Sequence, residues 1–107
     1  INHACEMETA LMLYLAPELV KQDKVKETRW VPVTEYLSGE LTSGGVVTTP
    51  FDVKEITDEG TVGDPTVATR ERGRFLFEEI SEKVAAFIIE FYAWDWQQLA
   101  SKTKTGD

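Results

Sequence analysis

Apolar residues recur at spacings of three and four over residues 76–91, and no other pattern constrains the fold of this chain as strongly. The spacing predicts a long amphipathic helix with glutamates on its opposite side. Asp64 and Pro65 suit an N-cap and a first helical position, so we predict helix from Thr66 onward. Gly73 costs a helix about 1 kcal/mol relative to alanine, so we expect it to allow close backbone packing. The apolar positions are Leu76, Ile80, Val84, Phe87, Ile88 and Phe91.

A second helical pattern lies near the start of the chain, where Cys5, Thr9 and Met12 share one face. Pro17 disfavours helical geometry in the residue before it. We therefore predict that this first helix ends at or before Ala16.

The stretch between these helices has little periodicity, and its β-branched run at Val46–Thr49 predicts one short strand. Pro32 limits another short extended piece to an edge or a loop. Two amphipathic helices need a sheet to cover, and this stretch offers at most two or three short strands. We therefore predict an α/β fold, of which this chain forms only one part.

Charge and residue usage exclude several classes of protein. The net charge of −8 argues against a duplex nucleic-acid binder and against a basic membrane-surface helix. No apolar run is long enough to span a bilayer, and we expect no secretory signal. The single cysteine allows no internal disulfide, which leads us to expect a cytoplasmic protein. A site of two or three histidines on zinc is excluded, because the chain has one histidine.

Reactive side chains concentrate just ahead of the first helix, where His3 is followed by Glu6 and Glu8. Open α/β sheets bind ligands where a strand gives way to a helix. Glu8 could orient the imidazole or bind a metal-held water, whereas His3 could also be a plain capping or surface residue. Cys5 fits a buried or pocket-lining thiol better than a nucleophile, because no second histidine could serve as its base. Asp64 similarly fits a cap better than a catalytic acid.

Two segments resemble motifs of the creatininase (creatinine amidohydrolase) superfamily. His3–Thr9 is similar to its His-Ala-Gly-Glu-x-Glu-Thr-Ser motif, and the match continues through Pro17–Val20. Gly63–Thr69 is similar to the Gly-Asp-Pro-x-x-Ala-Thr segment that opens the last helix of those enzymes. The motifs occur in the family's order and cover most of the chain. Cys5 and Ala10 depart from the motif's glycine and serine, which puts creatinine itself in doubt as the substrate.

The resemblance implies a three-layer α/β/α domain about twice this long, with residues 1–107 as its C-terminal half. The polar composition of residues 101–107 separately predicts a frayed tail. The N-terminal half would be a separate or missing chain, and the whole would form a homo-oligomer. Two divalent metal ions (Zn, Mn or Fe) would take their ligands mostly outside this chain. A metal-bound hydroxide would attack the substrate carbonyl while His3 acts as proton shuttle. Glu8 would be the second catalytic residue, and Cys5 and Glu6 would contact substrate.

These expectations combine into a metal-dependent hydrolase that cleaves a C–N amide bond, or opens a ring, in a small polar substrate. The alternative is a non-catalytic subunit or structural half that completes a partner's fold. A structural remnant would have no reason to keep both His3 and Glu8, which favours the enzyme. Trp30, Trp94 and Trp96 could line a pocket or anchor an interface. Trp94 and Trp96 cannot share one helical face, so we expect at least one to meet another chain.

Overall fold

The computed structural model describes residues 2–40 and 44–99, which are mainly helical. The α-helices are α1 (Glu6–Leu15), α2 (Val53–Ile56), α3 (Arg70–Tyr92) and α4 (Trp96–Leu99). Single 3₁₀ turns occur at Pro17–Leu19, Gln22–Lys24 and Pro65–Val67. The chain divides after Phe77 into two compact units, and α3 runs from the first into the second. Among the described helices, none has the length and apolar character needed to cross a membrane.

Helix α1 ends where the sequence predicts. Ala16 leaves helical geometry at φ −151°, and its N–H donates to the carbonyl of Met12 at 2.8 Å. Pro17 then starts a 3₁₀ turn, where its missing N–H costs no hydrogen bond. The predicted end of the first helix is confirmed.

Helices α1 and α3 pack closely through two small residues. Ala10 is fully buried, and a Cβ added to Gly73 would lie 1.8 Å from the Ala10 carbonyl oxygen. The rings of Tyr14 and Phe77 lie 5.7 Å apart on the same pair of helices. The predicted use of Gly73 for close backbone packing is confirmed.

Three extended segments meet beside the start of α1 through single bridges rather than strands. His3 pairs with Val62 and Thr28 pairs with Gly63, both antiparallel. Neither bridge extends into a ladder, because Ala4 turns into α1 at φ +47° and Gly63 at φ +127° leads into the proline turn. The described residues contain these bridges but no strand or sheet, so the predicted α/β fold class, with its three α/β/α layers, is wrong.

Two further predictions of local structure are wrong. Val46–Thr49 is exposed and forms no strand, because its backbone hydrogen bond from the Val47 N–H to the Tyr36 carbonyl at 3.1 Å does not continue into a ladder among the described residues. Helix α3 begins at Arg70 and not at Thr66, because Ala68 returns to extended geometry after the 3₁₀ turn. Thr69 Oγ1 then accepts from the N–H of Arg72 at 3.2 Å, as an N-cap does. The tail at 101–107 lies outside the described residues.

The described part of the second unit, residues 78–99, has almost no interior. Every residue from 78 to 99 is exposed except Trp94, which is half-buried. Trp94 lies between α3 and α4, so helical periodicity does not separate it from Trp96. The centroids of the two rings lie 5.8 Å apart. Phe87 and Phe91 complete this aromatic cluster, with ring centroids 5.5 and 5.3 Å from that of Trp94.

Candidate functional site

His3 is held firmly by its backbone while its side chain is exposed. Its N–H donates to the carbonyl of Val62 at 3.0 Å, and its own carbonyl accepts from the N–H of Val62 at 2.8 Å. The next residue, Ala4, has a left-handed φ of +47°, which L-residues other than glycine seldom adopt. Such strain persists only where surrounding contacts enforce it, and it often marks functional sites.

Cys5 joins the two sequence motifs. It occupies the N-cap position of α1 and is 6% exposed, and its Sγ accepts weakly from the N–H of Asn2 at 3.5 Å. A Cβ on Gly63 would lie 2.7 Å from the Cys5 Cβ, so only glycine fits there. The thiol is therefore packed against the second motif, as the buried interpretation of Cys5 requires.

Glu8 has a structural partner in the helix cap. Its Oε2 accepts from the backbone N–H of Cys5 at 3.2 Å, which is the N3 half of a capping box. The side chain is exposed, and a carboxylate can accept further hydrogen bonds. Glu8 therefore stabilises the turn that follows His3, whatever chemical role it also has.

Glu6 and Asp64 also have structural partners. The Glu6 carboxylate forms an ion pair with Arg72 of α3. The Asp64 Oδ1 accepts from the N–H of Thr66 at 2.9 Å, so the capping interpretation of Asp64 is confirmed. Glu6 therefore links α1 to α3, and its predicted contact with substrate stays a prediction.

The structure distributes the predicted site residues over two separate clefts. Glu8 and Ala4 line a groove of about 440 Å³. Cys5 and Glu6 line a smaller cleft of about 230 Å³ that also includes Asp64. His3 lines neither of them. The described residues therefore do not form one compact pocket that contains all four predicted site residues.

Sequence reasoning missed a group of lysines in the groove beside Glu8. Lys21, Lys24 and Lys26 line it together with Glu59, and Lys26 Nζ lies 2.8 Å from Glu59 Oε1. This hydrogen bond and charge lower the pKa of Glu59, with a smaller contribution from Lys24. Three lysines within six residues of an acidic chain are the signal that could have revealed the group.

The described residues do not form a metal centre by themselves. No group of three or more His, Cys, Asp or Glu side chains within residues 2–40 and 44–99 could hold an ion. Of the carboxylates nearest His3, Glu8 holds the Cys5 N–H and Glu6 pairs with Arg72. The donor set present here therefore does not fit a binuclear site.

Comparison with known proteins gives two curated relatives, both named mycofactocin precursor peptide peptidase. The protein of Mycobacterium ulcerans (strain Agy99) is 35% identical over 78 residues, which is 73% of this chain and 28% of the relative. That of Mycolicibacterium smegmatis (strain ATCC 700084 / mc(2)155) is 32% identical over the same shares of both proteins. The chain thus spans well under a third of the relatives it matches. No solved structure matches it significantly.

The family described as creatinine amidohydrolase matches residues 1–88. This range includes both motifs, which the contact between Cys5 and Gly63 brings together in space. The chain belongs to the creatininase family.

Proposed function

We propose that this chain is the C-terminal part of a hydrolase that cleaves a C–N amide bond. Both curated relatives are named as peptidases, and this favours a peptide over creatinine as the substrate.

The observation that carries the proposal is the way His3 is presented. Two backbone hydrogen bonds to Val62 fix its main chain, and the adjoining left-handed Ala4 turns the chain into α1. The imidazole is left exposed at a defined place, as a proton-transfer group needs to be. In the proposed reaction a ring nitrogen of His3 gives its proton to the amide nitrogen, which leaves as an amine.

Glu8 has two compatible roles in this proposal. Its hydrogen bond to the Cys5 N–H fixes the turn between His3 and α1, so it positions the imidazole through the backbone. Its exposed carboxylate would also orient the imidazole or bind the attacking water. Glu8→Gln keeps an oxygen acceptor for the cap and removes the charge, so this variant separates the two roles.

The resemblance also implies two divalent ions, which would supply an activated water when bound. Because the described residues alone do not make a metal site, we propose that the ligands lie mostly outside this chain. His3 would then carry the proton without being needed to hold the ions.

The test is to compare His3→Ala and His3→Gln with the unaltered intact protein. Loss of a general acid should lower kcat by roughly 10²–10⁴-fold in both variants, because glutamine cannot transfer the proton. Metal content and melting temperature should change little, because the His3 contacts with Val62 are made by its backbone. Full activity with a lowered melting temperature would show that His3 is structural.

A second candidate function is a non-catalytic half that completes a partner's fold. The observation in its favour is the apolar stripe of α3, where Ile80, Val84 and Phe87 are 43%, 49% and 50% exposed. The enzyme proposal uses the same stripe, because it needs the N-terminal part of the domain and further copies as partners. An active preparation in which His3→Ala leaves kcat unchanged would favour the structural half.

A further inference from the structure

The groove beside Glu8 carries a charge opposite to that of the chain. Three lysines and two glutamates line it, whereas the whole chain has a net charge of −8. An acidic protein repels an anionic ligand at long range, so binding one requires a local excess of positive charge. The lining residues with charge are Glu8, Lys21, Lys24, Lys26 and Glu59.

Two of these lysines have no carboxylate partner among the described residues and are therefore available to a ligand. Lys26 is paired with Glu59 at 2.8 Å, and that carboxylate also feels Lys24. Lys21 and Lys24 form no ion pair with a carboxylate within residues 2–40 and 44–99. Covering both ammonium groups with apolar protein would leave them desolvated and unpaired, which is costly. Both side chains are exposed, so their ammonium groups are within reach of an anionic group on a ligand.

The rest of the lining suits an apolar side chain attached to that anion. Met12 lies on the α1 side, and Leu19, Val20 and Val25 lie on the segment that follows α1. The volume of about 440 Å³ lies within the range of small-ligand sites, about 300–1,000 Å³. Because Glu8 lines the same groove, a ligand held there lies next to the helix turn that follows His3.

We propose that this groove binds the free C-terminal carboxylate of a peptide whose last side chain is apolar, with Lys21 and Lys24 as the carboxylate-binding residues. The inference rests on the proposed peptide hydrolysis and adds which end of the substrate is recognised. Binding at this end places the last amide bonds of the peptide next to Glu8 and Ala4, which follow His3 in the chain.

The experiment compares binding of acetyl-Ala-Ala-Leu with a free carboxylate and of the same peptide as its C-terminal amide, by calorimetry on the intact protein. A charge-assisted contact should make the acid bind roughly tenfold more tightly than the amide. The Lys21→Ala/Lys24→Ala variant should lose this preference, and Lys21→Arg/Lys24→Arg should keep it. The matched control is Lys54→Ala/Lys83→Ala, which removes two exposed lysines outside the groove and should keep the preference.

Equal binding of acid and amide to the unaltered protein would overturn the proposal, as would undetectable binding of both peptides. The proposal would also fail if the Lys21→Ala/Lys24→Ala variant and the control variant lost the same share of the preference for the acid. Binding needs no turnover, so this outcome is distinguishable from failure of the proposed function. If the protein prefers the acid but hydrolyses no amide bond, the groove proposal stands and the proposed hydrolysis fails.

Discussion

We predict that Gly73→Ala lowers the free energy of unfolding, although the same substitution usually stabilises a helix. Gly73 lies inside α3, where alanine is normally more stable than glycine by about 1 kcal/mol. Here the new Cβ would lie 1.8 Å from the carbonyl oxygen and 2.5 Å from the carbonyl carbon of Ala10. Both atoms belong to the backbone of α1, so no side chain can rotate away to make room.

The size of the effect follows from what must move. The two helices have to separate by more than an ångström for the Cβ to reach van der Waals distance, and this loosens the buried packing of Ala10. Overpacking of this kind costs typically about 1–3 kcal/mol, and a backbone clash belongs at the upper end of that range. After the gain in helix propensity, we expect a net destabilisation of about 2 kcal/mol.

Urea unfolding of the intact protein, followed by circular dichroism, measures this difference. Ser81→Ala is the matched control, because Ser81 is exposed on the same helix and its replacement should stabilise by about 0.5 kcal/mol or less. The midpoint should fall for Gly73→Ala and rise slightly for the control. If both variants unfold at or above the unaltered midpoint, the close contact of α1 with α3 is refuted.

Three further predictions concern the first unit and the chain as a whole. Gly63→Ala should lower the melting temperature, because the φ of Gly63 is +127° and a Cβ there would lie 2.7 Å from the Cys5 Cβ. It should also lower kcat, because the neighbouring Val62 holds the backbone of His3. A Gly63→Ala variant with unchanged melting temperature and kcat would contradict this. Lys26 lowers the pKa of Glu59, so this pair stabilises the folded state above the ordinary value of 4.5, and the contribution disappears as the pH falls through the lowered pKa. Glu59→Gln should therefore unfold slightly more easily at neutral pH and match the unaltered protein in acid, and a constant difference down to low pH would disprove the pairing. Residues 1–107 expressed alone should show no cooperative monomeric thermal transition, since the buried apolar side chains of the described part are Cys5, Ala10 and Val62.

The helices were predictable because their signals are local. Proline chemistry fixes the end of α1, and the spacing of apolar residues marks α3. The predicted start of α3 was wrong because Asp64 and Pro65 open a 3₁₀ turn with the same residue types that open an α-helix. Only Ala68, which returns to extended geometry, separates the two cases, and alanine carries no signal for that.

The fold class was less predictable because sheets depend on partners distant in sequence. Val46–Thr49 has the composition of a strand, but composition does not specify a neighbour. The pairs that do form involve His3 with Val62 and Thr28 with Gly63, and no alternation of residue types announces a bridge of one pair. The three-layer fold was expected from the resemblance, and the described part of the chain does not reproduce it.

The candidate site was predictable in identity but not in arrangement. The motif indicated His3, Cys5, Glu6 and Glu8, yet two of the carboxylates bind partners within the structure. The partner of Glu8 was readable, since a glutamate three residues after an N-cap is the spacing of a capping box. The partner of Glu6 was not, because Arg72 is brought near only by the packing of α1 on α3.

The contact between the two motifs explains why a distant glycine occurs together with the segment that holds His3. Val62 and Gly63 are adjacent, so one short segment holds the backbone of His3 through one residue and packs on Cys5 through the next. Gly63 also pairs with Thr28, which fixes that segment from its other side. A side chain at Gly63 would push the segment away from Cys5 and take the support of His3 with it. The second motif therefore contributes to the proposed site as its backbone support, without supplying a reactive group of its own.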